Sequence, residues 1–102
     1  MKALNHNEGK IRPSLILKDM QYAFKELLKV RENGCIKYDR FNYLLSKGTE
    51  HATEFREDNL DSINRHILDV LSGENIDKES RCYHMAHVAI RAMFELQYLE
   101  EE

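Results

Sequence analysis

His66, His84 and His87 are the residues from which chemistry is most readily built. His84 and His87 form an HxxH pair and so share one face of a helix. His66 lies on the segment before it, across a link short enough to fold the two segments side by side. Neutral imidazole is a good transition-metal ligand and titrates near neutral pH. The link adds Glu74, Asp77 and Glu79, carboxylates of the kind that hold Mg²⁺ or Mn²⁺. The expected arrangement is a divalent cation held by Glu74 and Asp77 with help from His84 or His87. His66 then serves as base or water-orienting group, and Asp77 shares in catalysis. Plainer readings stand beside these: the histidines as surface or capped side chains, and Asp77 as a helix N-cap.

A second group is basic and N-terminal: Lys10 and Arg12, then Lys37, Tyr38 and Asn42. Arginine grips phosphate through paired N–H donors, lysine acts as a point charge, and a tyrosine ring can stack on a base. Other chemistries are missing. There is no Walker A loop, no GxGxxG and no GxSxG. Cys35 and Cys82 are the only cysteines and form no CxxC. A disulfide scaffold and a cysteine-rich zinc module are therefore excluded, and a reducing compartment is expected.

These groups need a scaffold. A chain of 102 residues and 12.1 kDa makes one domain. It reads as an arm over residues 1–12 and a helical domain over 13–102. Residues 1–48 carry ten Lys/Arg against five Asp/Glu, and residues 49–102 carry five against thirteen. Phosphate would suit the first half and a cation the second. A pI near 6.0 argues against nucleic acid as a partner. No apolar run approaches the roughly 20 residues that span a bilayer, and the N-terminus lacks the apolar core of a secretory signal.

The periodicity predicts three main helices. Pro13 and Ser14 open the first, which carries Leu17, Met20, Phe24, Leu27 and Leu28 on one stripe and stops at Asn33-Gly34. Residues 35–48 read as a short helix or turn, and 49–59 as a loop or the first turns of the next helix. The second spans Leu60–Ser72, with Leu60, Ile63, Ile67, Val70 and Leu71 as its apolar face and Gly73 after it. The third, 78–99, is apolar on most sides, which suits a central or interfacial helix. One polar stripe breaks it: His84, His87, Arg91 and Glu95. The fold class is all-α, a small bundle with apolar surface left for a dimer or tetramer.

With these residues in place, the chain resembles a known family. Gly9-Lys10-Ile11-Arg12-Pro13, Gly34-x-x-Lys37-Tyr38 with Asn42, Arg65-His66, and Gly73-Glu74-x-x-Asp77-x-Glu79-Ser80 followed by His84-x-x-His87 occur in that order. The pattern resembles the N-terminal domain of the phage dATP/dGTP diphosphohydrolases, relatives of the MazG-like all-α nucleotide pyrophosphohydrolases. It covers residues 9–98. The chain departs from the pattern at three places: Gly34-Cys35-Ile36 stands for an alanine-like, glycine-rich run, Tyr43 stands for tryptophan, and Arg81 stands where glycine is common. Glu54-x-x-Glu57 and Glu74-x-x-Asp77 also satisfy the ExxE…ExxD spacing of such enzymes. So acidic a half yields that spacing readily, however, and Gly73 is where a helix stops.

The resemblance implies an oligomeric helical bundle that binds a purine (deoxy)nucleoside triphosphate with Mg²⁺ or Mn²⁺. It implies cleavage between the α and β phosphates, giving monophosphate and pyrophosphate, in phage nucleotide metabolism within the host cytoplasm. By position, Arg65, His66, Glu74, Asp77, His84 and His87 fall on the motif, as do Lys10, Arg12, Lys37, Tyr38 and Asn42. Lys10, Arg12, Lys37 and Arg65 would clamp phosphate oxygens. The alternatives are a nucleotide-sequestering protein without catalysis, and an interaction module whose last helix builds an oligomer.

Overall fold

A computed structural model describes residues 9–37 and 47–100, with the backbone alone at 34–37. The fold is all-α. Its helices are α1 (Ser14–Leu17), α2 (Gln21–Lys37), α3 (Ala52–Leu71) and α4 (His84–Tyr98). The one β feature among the described residues is an isolated antiparallel bridge between Ile76 and Tyr83. α4 is the central element: α2 and α3 each pack on it, while α1 packs on α2. The expectation for a helix apolar on most sides is met.

Three helix boundaries differ from the periodicity reading. The first helix is interrupted between Leu17 and Gln21. There the Asp19 N–H reaches back five residues to the Ser14 carbonyl, which breaks the regular ladder. Residues 9–20 are all exposed, so no packing straightens the chain. At its other end this helix runs past Asn33-Gly34 to Lys37. Asn33 does not end the helix, because its amide is used elsewhere. It donates to the Ser80 carbonyl at 3.0 Å and to Cys82 Sγ at 3.2 Å. The last helix starts at His84 rather than near residue 78, because residues 74–83 form a tight loop. Asp77 N–H donates to Cys82 O, Arg81 N–H to Asp77 O, and His84 N–H to Asn75 O. Neither Asp77 nor Ser80 caps α4, whose N-cap is Tyr83. Residues 52–59 belong to α3, which settles that segment as helix.

The core is small. Val30, Cys82, Ala86 and Ile90 are buried together, with Leu27, Tyr83 and Phe94 packed against them. Of the apolar face expected on α3, only Ile63 and Val70 are half-buried, and the rest is turned outward. Leu60, Ile67 and Leu71 are exposed, Leu71 by 78%, whereas Asn59 and Ser62 are buried. α3 turns its polar residues inward because α4 offers a matching polar stripe.

Candidate functional site

The joint between α3 and α4 is a row of polar side chains. At its outer end Glu95 accepts from Arg56 Nε at 3.1 Å and from Asn59 Nδ2 at 2.7 Å. Asn59 also donates to the Arg91 carbonyl at 3.0 Å and accepts from the Arg91 guanidinium at 3.1 Å. Asn59, Ser62, His66 and Asp69 recur along α3 much as Glu95, Arg91, His87 and His84 do along α4. The two stripes meet because both follow the helix repeat.

The three imidazoles lie at the inner end of this seam. His66 Nδ1 and His84 Nδ1 are 2.8 Å apart, one donating to the other. The His66 and His87 rings stack, with centroids 4.5 Å apart and planes 5° from parallel. His66 therefore stands between two groups. On one side His84 Nε2 faces Asp69 Oδ2 at 3.7 Å and Glu74 Oε1 at 3.8 Å. On the other, Ser80 Oγ lies 2.7 Å from His87 Nε2 and donates to Asp77 Oδ2 at 2.8 Å. The four residues expected to ligate one cation are thus divided, Glu74 with His84 and Asp77 with His87.

Each group has its own electrostatics. Burial lowers the His87 pKa to about 4, and the neighbouring His66 adds to this. His66 is lowered too, first by burial and then by His84. Burial pushes the Asp77 carboxyl up. The Ser80 hydroxyl and N–H, the Glu79 N–H and His87 together overcome this, and the net shift is downward. A neutral His66 and His87 beside an ionised Asp77 are the charge states a cation requires.

Ser80, His87 and Asp77 have the composition of a hydrolytic triad but not its geometry. Asp77 approaches the same Nε2 that Ser80 occupies, at 3.6 Å, instead of orienting the ring from Nδ1. Ser80 Oγ also accepts the Cys82 N–H. Asp77 holds a turn, accepting from the Glu79 and Ser80 N–H groups.

His84 is 2% exposed, and its Nε2 is a buried atom with no hydrogen-bond partner. Leaving such a group unpaired costs about 1–3 kcal/mol. With two carboxylates facing it, this atom is the observation by which the residues fit a cation. One donor each from His66, Asp69 and His84 lie within 4.8 Å of one another.

The basic residues are placed elsewhere. Lys10 and Arg12 are exposed ahead of α1, and among the described residues no hydrogen bond or ion pair joins them to the imidazoles. Arg65 is exposed on α3 beside the inward His66. Lys37 ends α2, but its side chain, and all of Tyr38 and Asn42, lie outside the described residues. Glu54 and Glu57 are exposed at the start of α3, a helix about 30 Å long, so they share no ion with Glu74 and Asp77 beyond its other end. Sequence reasoning missed Asp69 as a site residue, although His66-x-x-Asp69 has one-face spacing. It also missed Asn59, whose signal was its helical register with His66.

No described helix is long and apolar enough to cross a membrane. Comparison with curated proteins and with solved structures gives no match. Over residues 2–102 the chain matches the family described as dATP/dGTP diphosphohydrolase, N-terminal. With that match spanning nearly every residue, this chain belongs to the dATP/dGTP diphosphohydrolase N-terminal family.

Proposed function

We propose that the chain hydrolyses purine (deoxy)nucleoside triphosphates between the α and β phosphates, releasing monophosphate and pyrophosphate. The observation that carries this reading is the imidazole–carboxylate cluster at the α3–α4 joint, in a chain of this family. His66, neutral because it is buried beside His84, orients the attacking water or accepts its proton. Asp77 fixes Ser80 and, through it, the His87 ring. Arg65, with Lys10, Arg12 and Lys37, binds phosphate oxygens, and Tyr38 and Asn42 contact the base. Mg²⁺ or Mn²⁺ belongs to this proposal, and either Glu74 and Asp69 with His84 or Asp77 with His87 would hold it. Bound there, the ion would supply charge neutralisation on the phosphates and a more acidic water.

A second copy of the chain completes the proposal. Leu60, Ile67 and Leu71 on α3, and Met85, Met93 and Leu96 on α4, are exposed. A dimer or tetramer would cover them. The setting is the cytoplasm of a phage-infected bacterium.

Product analysis with dATP and dGTP tests the reaction. His66→Ala is expected to lose about 10²-fold or more in turnover, in the range of a removed general base. Asp77→Ala and His87→Ala should lose activity as well. Unchanged turnover in all three removes these residues from the mechanism. Nucleotide binding by calorimetry without product would identify a sequestering protein instead.

A further inference from the structure

We infer that Arg91, fixed by Asn59 at the α3–α4 joint, is a phosphate-binding residue that holds a non-bridging oxygen of the substrate's polyphosphate chain beside His66 and His87. Arg91 stands one helical turn after His87 on the polar stripe of α4, so the two side chains share a face. Across the joint its Nη1 donates to Asn59 Oδ1 at 3.1 Å, and Asn59 lies two turns before His66 on the inward stripe of α3. Asn59 is buried and held in turn by the Arg91 carbonyl and by Glu95. The guanidinium is therefore anchored before a ligand arrives, which spares part of the cost of ordering a long side chain. Its charge reaches both rings, where it adds to the lowering of His66 and His87.

Charge changes sign along the joint. The inner end sets Asp69, Glu74 and Asp77 against His84 and His87. The outer end holds two guanidiniums, Arg56 and Arg91, and one inward carboxylate, Glu95, which takes Arg56 as a salt-bridge partner. The acids on the first half of α3, Glu54, Glu57, Asp58 and Asp61, are all exposed. Asn59 fixes Arg91 through a neutral amide oxygen, so that contact orients the fork without cancelling its charge. A positive end of this kind, beside neutral imidazoles, favours an anion. The paired N–H donors of a guanidinium match the oxygens of a phosphate group.

Burial separates Arg91 from the other basic residues assigned to phosphate. Lys10, Arg12 and Arg65 are exposed, whereas Arg91 is half-buried in the seam. A fixed cation partly withdrawn from water acts more strongly on an anion than a solvated one does. Arg91 takes no proton and breaks no bond. It offsets the negative charge on the phosphate oxygens while the anhydride bond breaks. The identity of the anion as a nucleotide rests on the hydrolase reading, but the affinity of this end of the joint for a phosphate oxygen does not.

The test titrates the full chain with inorganic pyrophosphate by calorimetry, with Mg²⁺ present throughout, and then assays it with dATP and dGTP. Arg91→Gln can still donate to Asn59 but has lost the charge. It is expected to weaken pyrophosphate binding and to raise KM by about tenfold or more, the scale of a hydrogen bond to a charged group, with a smaller fall in kcat. Arg91→Lys keeps the charge without the fork and should fall between Arg91→Gln and the parent chain. Arg56→Gln removes the other guanidinium of the same network and should leave pyrophosphate affinity unchanged, which separates phosphate contact from upkeep of the seam. No binding of pyrophosphate, parental affinity in Arg91→Gln, or an equal loss in Arg56→Gln would overturn the assignment. Should Arg91→Gln fail to fold, parental affinity in Arg91→Lys would overturn it as well. Pyrophosphate bound in an Arg91-dependent way, with no product from dATP or dGTP, would remove the hydrolase reading and leave the phosphate site standing. Hydrolysis at parental KM by Arg91→Gln would overturn the role of Arg91 and leave the hydrolase reading intact.

Discussion

The two faces of α4 are held by different physics. Toward α2 it presents Ala86, Ile90 and Phe94 to Leu27 and Val30, an apolar joint with Cys82 sealed into it. Toward α3 it presents His84, His87, Arg91 and Glu95 to Asn59 and His66, a joint made of hydrogen bonds and ion pairs. Apolar contact is non-directional and tolerates many shapes. The polar joint fixes rotamers and register, and it holds neutral imidazoles beside carboxylates. Stability comes mainly from the first joint. The second provides a constellation that can do chemistry.

The largest expected effect falls on the apolar joint. Ile90→Ala should cost about 2–4 kcal/mol, read as a lower urea midpoint at unchanged slope. With so few buried side chains among the described residues, little is seen around the cavity to refill it. Next comes Asn59→Ala on the polar joint, at about 1–3 kcal/mol. It takes donors from the Arg91 carbonyl and the Glu95 carboxylate and an acceptor from the Arg91 guanidinium, in a residue only 3% exposed. Combining Asn59→Ala with Glu95→Gln should cost less than the two losses added together, because both residues serve one network. Strict additivity would mean that the seam does not act as a unit.

These two joints also differ in how far the sequence disclosed them. The centrality of α4 was legible because its apolar residues cover most of its circumference. The inward face of α3 was not. Leu60, Ile67 and Leu71 form the better apolar stripe, and periodicity alone assigns such a stripe to the core. Within one chain the polar stripe of α4 pairs instead with Asn59, Ser62 and His66, and the apolar stripe stays outside. Convergence of His66, His84 and His87 followed from a short link and a three-residue spacing. Asp69 was hidden because a carboxylate on a polar helix face looks solvated until the partner helix is in place. The hidden start of α4 has a similar cause: Asp77, read as a helix cap, caps a loop turn whose hydrogen bonds run backwards along the chain.

Acid should separate the joints again. In chelator-stripped protein the folded His87 holds its pKa near 4, below the ordinary 6.5 of an unfolded chain. Between those values the unfolded chain binds the extra proton. The stability tied to a neutral His87 is therefore fully present above about pH 6.5 and is lost as pH falls through about 4. His66 shifts in the same direction. The urea midpoint is expected to fall from pH 7 to pH 5, by less than Asn59→Ala costs, because solvent near the ring screens the charge. A flat profile over that interval would show that the rings take up protons in the folded seam.

The smallest effect, and the only favourable one, lies in the loop that serves both joints. Ser80 gives its carbonyl to Asn33 on α2 and its hydroxyl to the Asp77–His87 group, and Arg81 follows it at φ 64°. That left-handed conformation costs an ordinary residue about 1–2 kcal/mol, and glycine adopts it freely. Arg81 is exposed, and among the described residues no hydrogen bond or ion pair joins its side chain to the seam. Arg81→Gly is therefore expected to stabilise the chain by up to about 1 kcal/mol once the greater chain entropy of unfolded glycine is subtracted. Arg81→Ala should bring no gain, which separates backbone strain from loss of the side chain. Equal midpoints for both variants would mean that the loop relaxes out of the left-handed region. The polar seam would then rest on its side chains alone, without a backbone held in place from both sides of α4.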